Sequence, residues 1–151
     1  MKRGELLWQL ILLFVVALVG YAMVFGWIEH RRVVKGPWVV TFANENESPA
    51  IIVNQSALGI HDVRVIFREA TAPTNPVQAI EFSQARAVPF AVPFGQCVFQ
   101  DTTFLPGTVT FEMFGHQIQL MPRVLTIDGV ERPWRSVERI ELRGATNSKP
   151  K

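Results

Sequence analysis

The sequence predicts a mainly β protein in which one N-terminal transmembrane α-helix is followed by a single antiparallel β-sandwich of jelly-roll or immunoglobulin-like type. Three observations predict it. The stretch Leu6 to Ile28 is almost wholly apolar, with Gln9 as its only strongly polar side chain and no Asp, Glu, Lys, Arg or His. Beyond it, β-branched and aromatic residues recur in short runs divided by turn residues, the pattern of sandwiches and barrels. No later segment carries the 3.6-residue period of an amphipathic helix. The expected organisation is a polar N-terminus (1–5), a transmembrane helix (6–28), a basic juxtamembrane linker (29–37), a β-sandwich (38–143) and a polar tail (144–151) that frays.

At about 1.5 Å per residue the apolar run spans roughly 35 Å as a helix, enough for a hydrocarbon core of about 30 Å. Trp8 and Trp27 bracket it like an interfacial aromatic belt, and Arg31 and Arg32 add cationic anchors at the second interface. A cleaved signal peptide is the competing reading, since Lys2 and Arg3 make a basic start and Gly20-Tyr21-Ala22 a small-x-small site. The run outlasts the usual h-region of about 7–15 residues, so a retained anchor is expected. Without intramembrane ionisable groups the helix has no means of relaying protons or lining an ion path. Ala22 and Gly26 form a small-xxx-small pair of the kind that lets helices dock closely. Lys2 and Arg3 nearly balance Arg31, Arg32 and Lys35 in the positive-inside count. The short basic N-terminus favours a cytoplasmic start, hence a cell (inner) membrane protein with an extracytoplasmic, periplasmic domain.

About 115 residues follow the anchor, enough for one domain with its own core. Of the 15 Lys and Arg, five flank the membrane and 10 follow, with Lys149 and Lys151 in the tail; of the 13 acids, two flank it and 11 remain. The domain is therefore close to neutral, and the phosphate-binding surface that nucleic acid requires is not expected. Lone Cys97 excludes an internal disulfide.

Gly36-Pro37 separates linker from domain. Expected strands then run from Trp38 to Ala43, Ala50 to Gln55, and His61 to Phe67, where alternation puts Val63, Val65 and Phe67 opposite Asp62, Arg64 and Ile66. Glu69 to Pro76 reads as a loop, and Gln78 to Phe82 as a short strand. The doubled Ala-Val-Pro-Phe unit from Ala87 to Phe94 holds prolines that forbid a central strand. Cys97 to Phe99 re-enters a sheet, Thr108 to Phe114 and Gln117 to Leu120 form a hairpin about Gly115-His116, and Val124 to Ile127 and Val130 to Trp134 form another about Asp128-Gly129. Val137 to Leu142 is the last strand, for an expected eight to ten in all.

Candidate chemistry is sparse. His61-Asp62 and His116 lack the converging ligand set of a metal site. Cys97, flanked by apolar strand residues, reads as a core thiol rather than an activated nucleophile. Glu112 falls on the polar face of its strand, and Asn54-Gln55-Ser56 matches a glycosylation sequon, whereas Asn46-Glu47-Ser48 is followed by Pro49. The least ordinary feature is the aromatic-proline stretch holding Phe90, Phe94, Phe99 and Phe104, which either fills the sandwich or offers a partner surface. The functional expectation is a non-catalytic single-pass accessory subunit or assembly factor of a larger membrane complex, with the lipid bilayer and a membrane protein as partners and no cofactor. The alternative is a membrane-tethered module for a glycan, lipid or small molecule, with an aromatic-lined site among Trp38, Trp134 and the Phe-Pro stretch.

Overall fold

The computed structural model describes residues 3–71 and 77–143. It divides into two units, Met1–Val34 and Lys35–Lys151. The tail expected at 144–151 and much of the proline loop, 72–76, lie outside the described residues.

The first unit is α1, Arg3–Val33, long and apolar enough to cross a bilayer. The helix continues beyond the apolar run through residues 29–33. Its polar end is held locally: Arg32 pairs with Glu29 at 3.2 Å, an i,i+3 contact, and the Arg31 guanidinium lies 4.5 Å from the Trp27 ring centroid. Leu6 to Ile28, including Ala22 and Gly26, are exposed along its length.

The second unit packs two sheets face to face. Sheet I contains β1 (Val39–Glu45), β2 (Ser48–Gln55), β3 (Ile60–Arg68), β4 (Gln78–Glu81) and β11 (Arg139–Arg143), ordered β11-β3-β2-β1-β4. Sheet II contains β5 (Phe90–Val92), β6 (Gly95–Asp101), β7 (Thr108–Met113), β8 (His116–Leu120), β9 (Val124–Ile127) and β10 (Val130–Pro133), ordered β10-β9-β8-β7-β6-β5. Sheet II is thus a meander of sequence neighbours. Among the described strands the chain changes sheets twice, after β4 and after β10, whereas immunoglobulin-like folds alternate between sheets repeatedly.

Alternation builds the core. Val40, Phe42, Ile51, Val53, Val63, Val65 and Phe67 from sheet I meet Cys97, Val109, Phe111, Ile118, Leu120 and Leu125 from sheet II. Phe111 sits edge-on to both Phe42 and Phe82, at 6.2 and 5.3 Å between centroids. Burying each large apolar side chain contributes about 1.5–3 kcal/mol.

Three details depart from the sequence reading. β11 pairs parallel to β3, with Ile140 opposite Val65, where an antiparallel sandwich was expected. The cause lies at the strand's entry: Ser136 Oγ donates to Gly59 O, and Val137 N–H donates to His61 O, so the chain joins sheet I beside the start of β3 and runs the same way. The β7–β8 turn is Phe114-Gly115 instead of Gly115-His116. Both its residues have positive φ, 50° and 81°, and Met113 pairs with His116, so His116 is a strand residue. The Phe-Pro stretch yields the short edge strand β5, flanked by Pro89 and Pro93, which keeps the missing donors out of a central ladder.

Close approach fixes two positions. A Cβ on Gly95 would lie 2.1 Å from Glu112 O, and one on Gly107 (φ +66°) 1.8 Å from Asp101 O. The Gly107 carbonyl in turn accepts the indole N–H of Trp38 at 3.0 Å, tying the β6–β7 loop to the start of β1.

Candidate functional site

The outer faces of the two sheets differ in chemistry. On sheet I, Arg64 forks onto Asp62 with two 2.9 Å bonds and reaches Glu45 at 3.3 Å; Arg139 also pairs with Glu45, and Arg68 with Glu141 at 2.6 Å. The hydrogen bond Arg64 donates to Asp62 raises the Arg64 pKa, and the one Glu141 accepts from Arg68 lowers the Glu141 pKa. This ion-pair lattice lies on the face of Ala50 and Ile66, which are buried although they point away from the inter-sheet core.

Sheet II presents a face of amides and hydroxyls. Register sets Ala91, Gln96, Glu112 and Gln117 in one row across β5 to β8, and Phe99, Thr110, Gln119 and Thr126 in the next across β6 to β9. Over the first row lies an open groove of about 750 Å³, walled by Phe90 on β5 and by the Phe114-Gly115 turn, with Gln96, Glu112, Gln117, His116 and Asp128 also lining it. Gln96 Nε2 donates to Glu112 Oε2 at 3.1 Å. Asp128 Oδ1 accepts the Gln117 backbone N–H at 2.9 Å, so the β9–β10 turn braces β8.

His116 closes one end. Its Nδ1 lies 2.6 Å from Asp128 Oδ2 and its Nε2 lies 2.7 Å from the Arg143 carbonyl oxygen. Both partners are acceptors, and which ring nitrogen donates follows from the tautomer. The side chain thereby ties sheet II to the last strand of sheet I. It was read from sequence as a solvated turn residue; the shifted turn places it here instead. His61, by contrast, is exposed, and its backbone N–H donates to Ser136 Oγ at 3.1 Å.

Cys97 is fully buried in the core, and burial pushes its thiol up to about 11. Its Sγ lies 3.4 Å from Phe99 O, with no carboxylate or imidazole bonded to it. Asn54 Oδ1 accepts the Asp62 backbone N–H at 2.8 Å, so the sequon's side chain is engaged within the fold. No cluster of three or more His, Cys, Asp or Glu suited to a metal ion occurs among the described residues.

The four phenylalanines of the aromatic-proline stretch separate. Phe94 is half-buried between Phe42 and Phe114, at 5.7 and 6.0 Å, and Phe90 is half-buried at the groove wall. Phe99 is 48% exposed and Phe104 56%. A bulge at Val98, between the pairs Cys97↔Phe111 and Phe99↔Thr110, turns Phe99 out; simple alternation from Cys97 would have turned it in. Trp38 is buried against Trp134, 5.2 Å between centroids, and Trp134 Nε1 donates to Met121 O at 2.8 Å. The tryptophans therefore seal one end of the sandwich, and of the aromatic site expected among them only the Phe-Pro stretch lines the sheet II groove.

Sequence reasoning left the row Gln96, Glu112, Gln117 unassigned as a site. Alternation along Thr108 to Phe114 and Gln117 to Leu120 signals its outward direction, but the β6–β7 and β7–β8 registers that align it are long-range facts. No family model matches this sequence, and comparison with curated proteins and with solved structures finds no match.

Proposed function

We propose that this chain is a non-catalytic, single-pass membrane protein that serves as an accessory subunit or assembly factor of a larger membrane complex, its β domain on the extracytoplasmic side. The observation that carries the reading is the bulge at Val98: bulges re-aim side chains, and this one displays Phe99 on the sheet surface, with Phe104 also exposed in the loop that follows β6. Exposed aromatics of this kind anchor protein interfaces. The apolar, exposed helix supports the same reading by giving a membrane partner a second surface.

The test is affinity purification of the full-length chain from its native membrane in mild detergent, with mass spectrometry and native electrophoresis. A stoichiometric complex that dissociates in the Phe99→Ser, Phe104→Ser double variant is the expected result. Recovery of the wild-type chain as a free monomer overturns it.

A second reading, a membrane-tethered ligand-binding module, is favoured by the groove on sheet II, whose volume of about 750 Å³ lies within the usual ligand-site range of roughly 300–1,000 Å³.

A further inference from the structure

We infer that the sheet II groove takes a short, uncharged oligosaccharide. The inference rests on the ligand-binding reading and names its ligand class.

Spacing is the first argument. Gln96, Glu112 and Gln117 stand in one row on three adjacent strands, and neighbouring strands lie about 4.8 Å apart. That interval is close to the repeat of an extended pyranose chain, so successive rings would meet equivalent polar groups.

Hydrogen-bonding chemistry is the second. A sugar hydroxyl both donates and accepts; a side-chain amide offers both in return, and a carboxylate accepts twice over. Gln96 and Glu112 hold each other at 3.1 Å, which fixes their planes and leaves further acceptor capacity on each. Among the described residues the Gln117 amide side chain has no hydrogen-bond partner. Ala91 extends the row on β5. Phe90 beside it pairs with Cys97 and packs against the core on the opposite face, and Arg86, 5.5 Å from the Phe90 ring centroid, is outside the groove lining.

Charge decides between ligand classes. Among the described residues no Lys or Arg lines the groove, so phosphate, sulfate or uronate groups there meet two carboxylates and no Lys or Arg side chain. Asp128 is engaged by His116, which leaves Glu112 as the one acid facing a ligand and gives a polycation little to hold. An acyl chain would desolvate Gln96, Glu112 and Gln117 without replacing their hydrogen bonds, at a cost of several kcal/mol in aggregate.

The experiment uses the full-length chain in a sugar-free detergent, with isothermal titration and thermal unfolding against cellopentaose, chitopentaose, maltopentaose, oligogalacturonate and octanoate. At least one neutral oligosaccharide is expected to bind and raise Tm, and oligogalacturonate to do neither. Gln96→Ala should weaken binding up to about tenfold, the loss of one hydrogen-bonding side chain from the row. Gln117→Ala should weaken it too while leaving the Tm of the free protein unchanged, since its amide bonds nothing among the described residues. Absence of binding by all three neutral sugars, binding indifferent to both substitutions, or equal affinity for oligogalacturonate would each overturn the inference. Octanoate binding with no sugar bound would overturn the ligand class and leave a ligand-binding module standing; no response to any of the five compounds would remove both.

Discussion

At the scale of single residues, burial and hydrogen bonding assign roles that residue type leaves open. The Cys97 thiol is pushed up to about 11 from an ordinary value of 9.0. Between those values the unfolded chain loses its thiol proton and the folded chain keeps it, so this group's contribution is present below about pH 9 and is lost as pH rises toward 11. Iodoacetamide is accordingly expected to leave the native thiol unmodified at pH 8 and to alkylate it in denaturant, with peptide mass spectrometry as the readout. Gln55 is nearly fully buried, and its Nε2 donates to the carbonyls of Lys35, Gly36 and Pro37 at 2.8, 2.9 and 3.2 Å. Gln55→Ala strands those acceptors at the domain's first residues and should cost about 1–3 kcal/mol in urea unfolding followed by tryptophan fluorescence. Val137 runs the other way. It is β-branched, exposed and at φ +62°, a conformation that costs an L-residue about 1–2 kcal/mol, so Val137→Gly should stabilise by roughly 0.5–1 kcal/mol once glycine's larger backbone entropy is counted. Destabilisation in the same urea titration would refute that reading of the backbone.

Elements are held by turns and by cross-strand pairs. Gly129 sits in the β9–β10 turn at φ +79° with open space where a Cβ would go, whereas a Cβ on Gly95 would run into the backbone carbonyl oxygen of Glu112. Gly129→Ala should therefore cost about 1–2 kcal/mol, the left-handed penalty alone, and Gly95→Ala more than about 3 kcal/mol, because a sheet backbone cannot retreat as a flexible side chain does. The β3–β11 pairing carries an ion pair whose pH dependence has a definite sign. Arg68's hydrogen bond lowers the Glu141 pKa below its ordinary 4.5. Its stabilisation is therefore present above about pH 4.5 and is lost as pH falls through the depressed folded value. Glu141→Gln should flatten the acid limb of a Tm-versus-pH profile and leave its neutral limb nearly unchanged, since exposed ion pairs contribute little there.

For the whole molecule, the contrast between the sheets is the main result. Sheet I carries its charges in pairs on its outer face, and sheet II carries amides, hydroxyls and an exposed phenylalanine. His116, Asp128 and Arg143 join the two sheets at one end, and Trp38 with Trp134 seals the other. The exposed Phe99 and the groove therefore lie on one face, that of sheet II. A partner that occupies Phe99 would lie beside any ligand in the groove, since the two rows are adjacent on the same strands. Saturating the full-length complex with a bound oligosaccharide should therefore alter its dissociation rate in native electrophoresis.

The sequence by itself determined the apolar helix, the mainly β domain and the inward set of most strands, because each depends on local patterns: length and hydropathy for α1, period-two alternation for β3, β7 and β8, an Asp-Gly pair for the β9–β10 turn. It also marked Cys97 as a core thiol from its apolar flanks. Only the tertiary structure decided the rest. One extra residue at Val98 reverses the phase of β6, and Gly95 to Asp101 does not reveal it locally, since Cys97, Val98 and Phe99 are apolar in succession and fit either phase. The parallel placement of β11 depends on where Ser136 and Val137 find partners in residues 59–61, more than seventy positions earlier. The groove row exists only once β6, β7 and β8 are in register, and register is set by which apolar faces must be buried together, a property of the packed sheets and of no single segment.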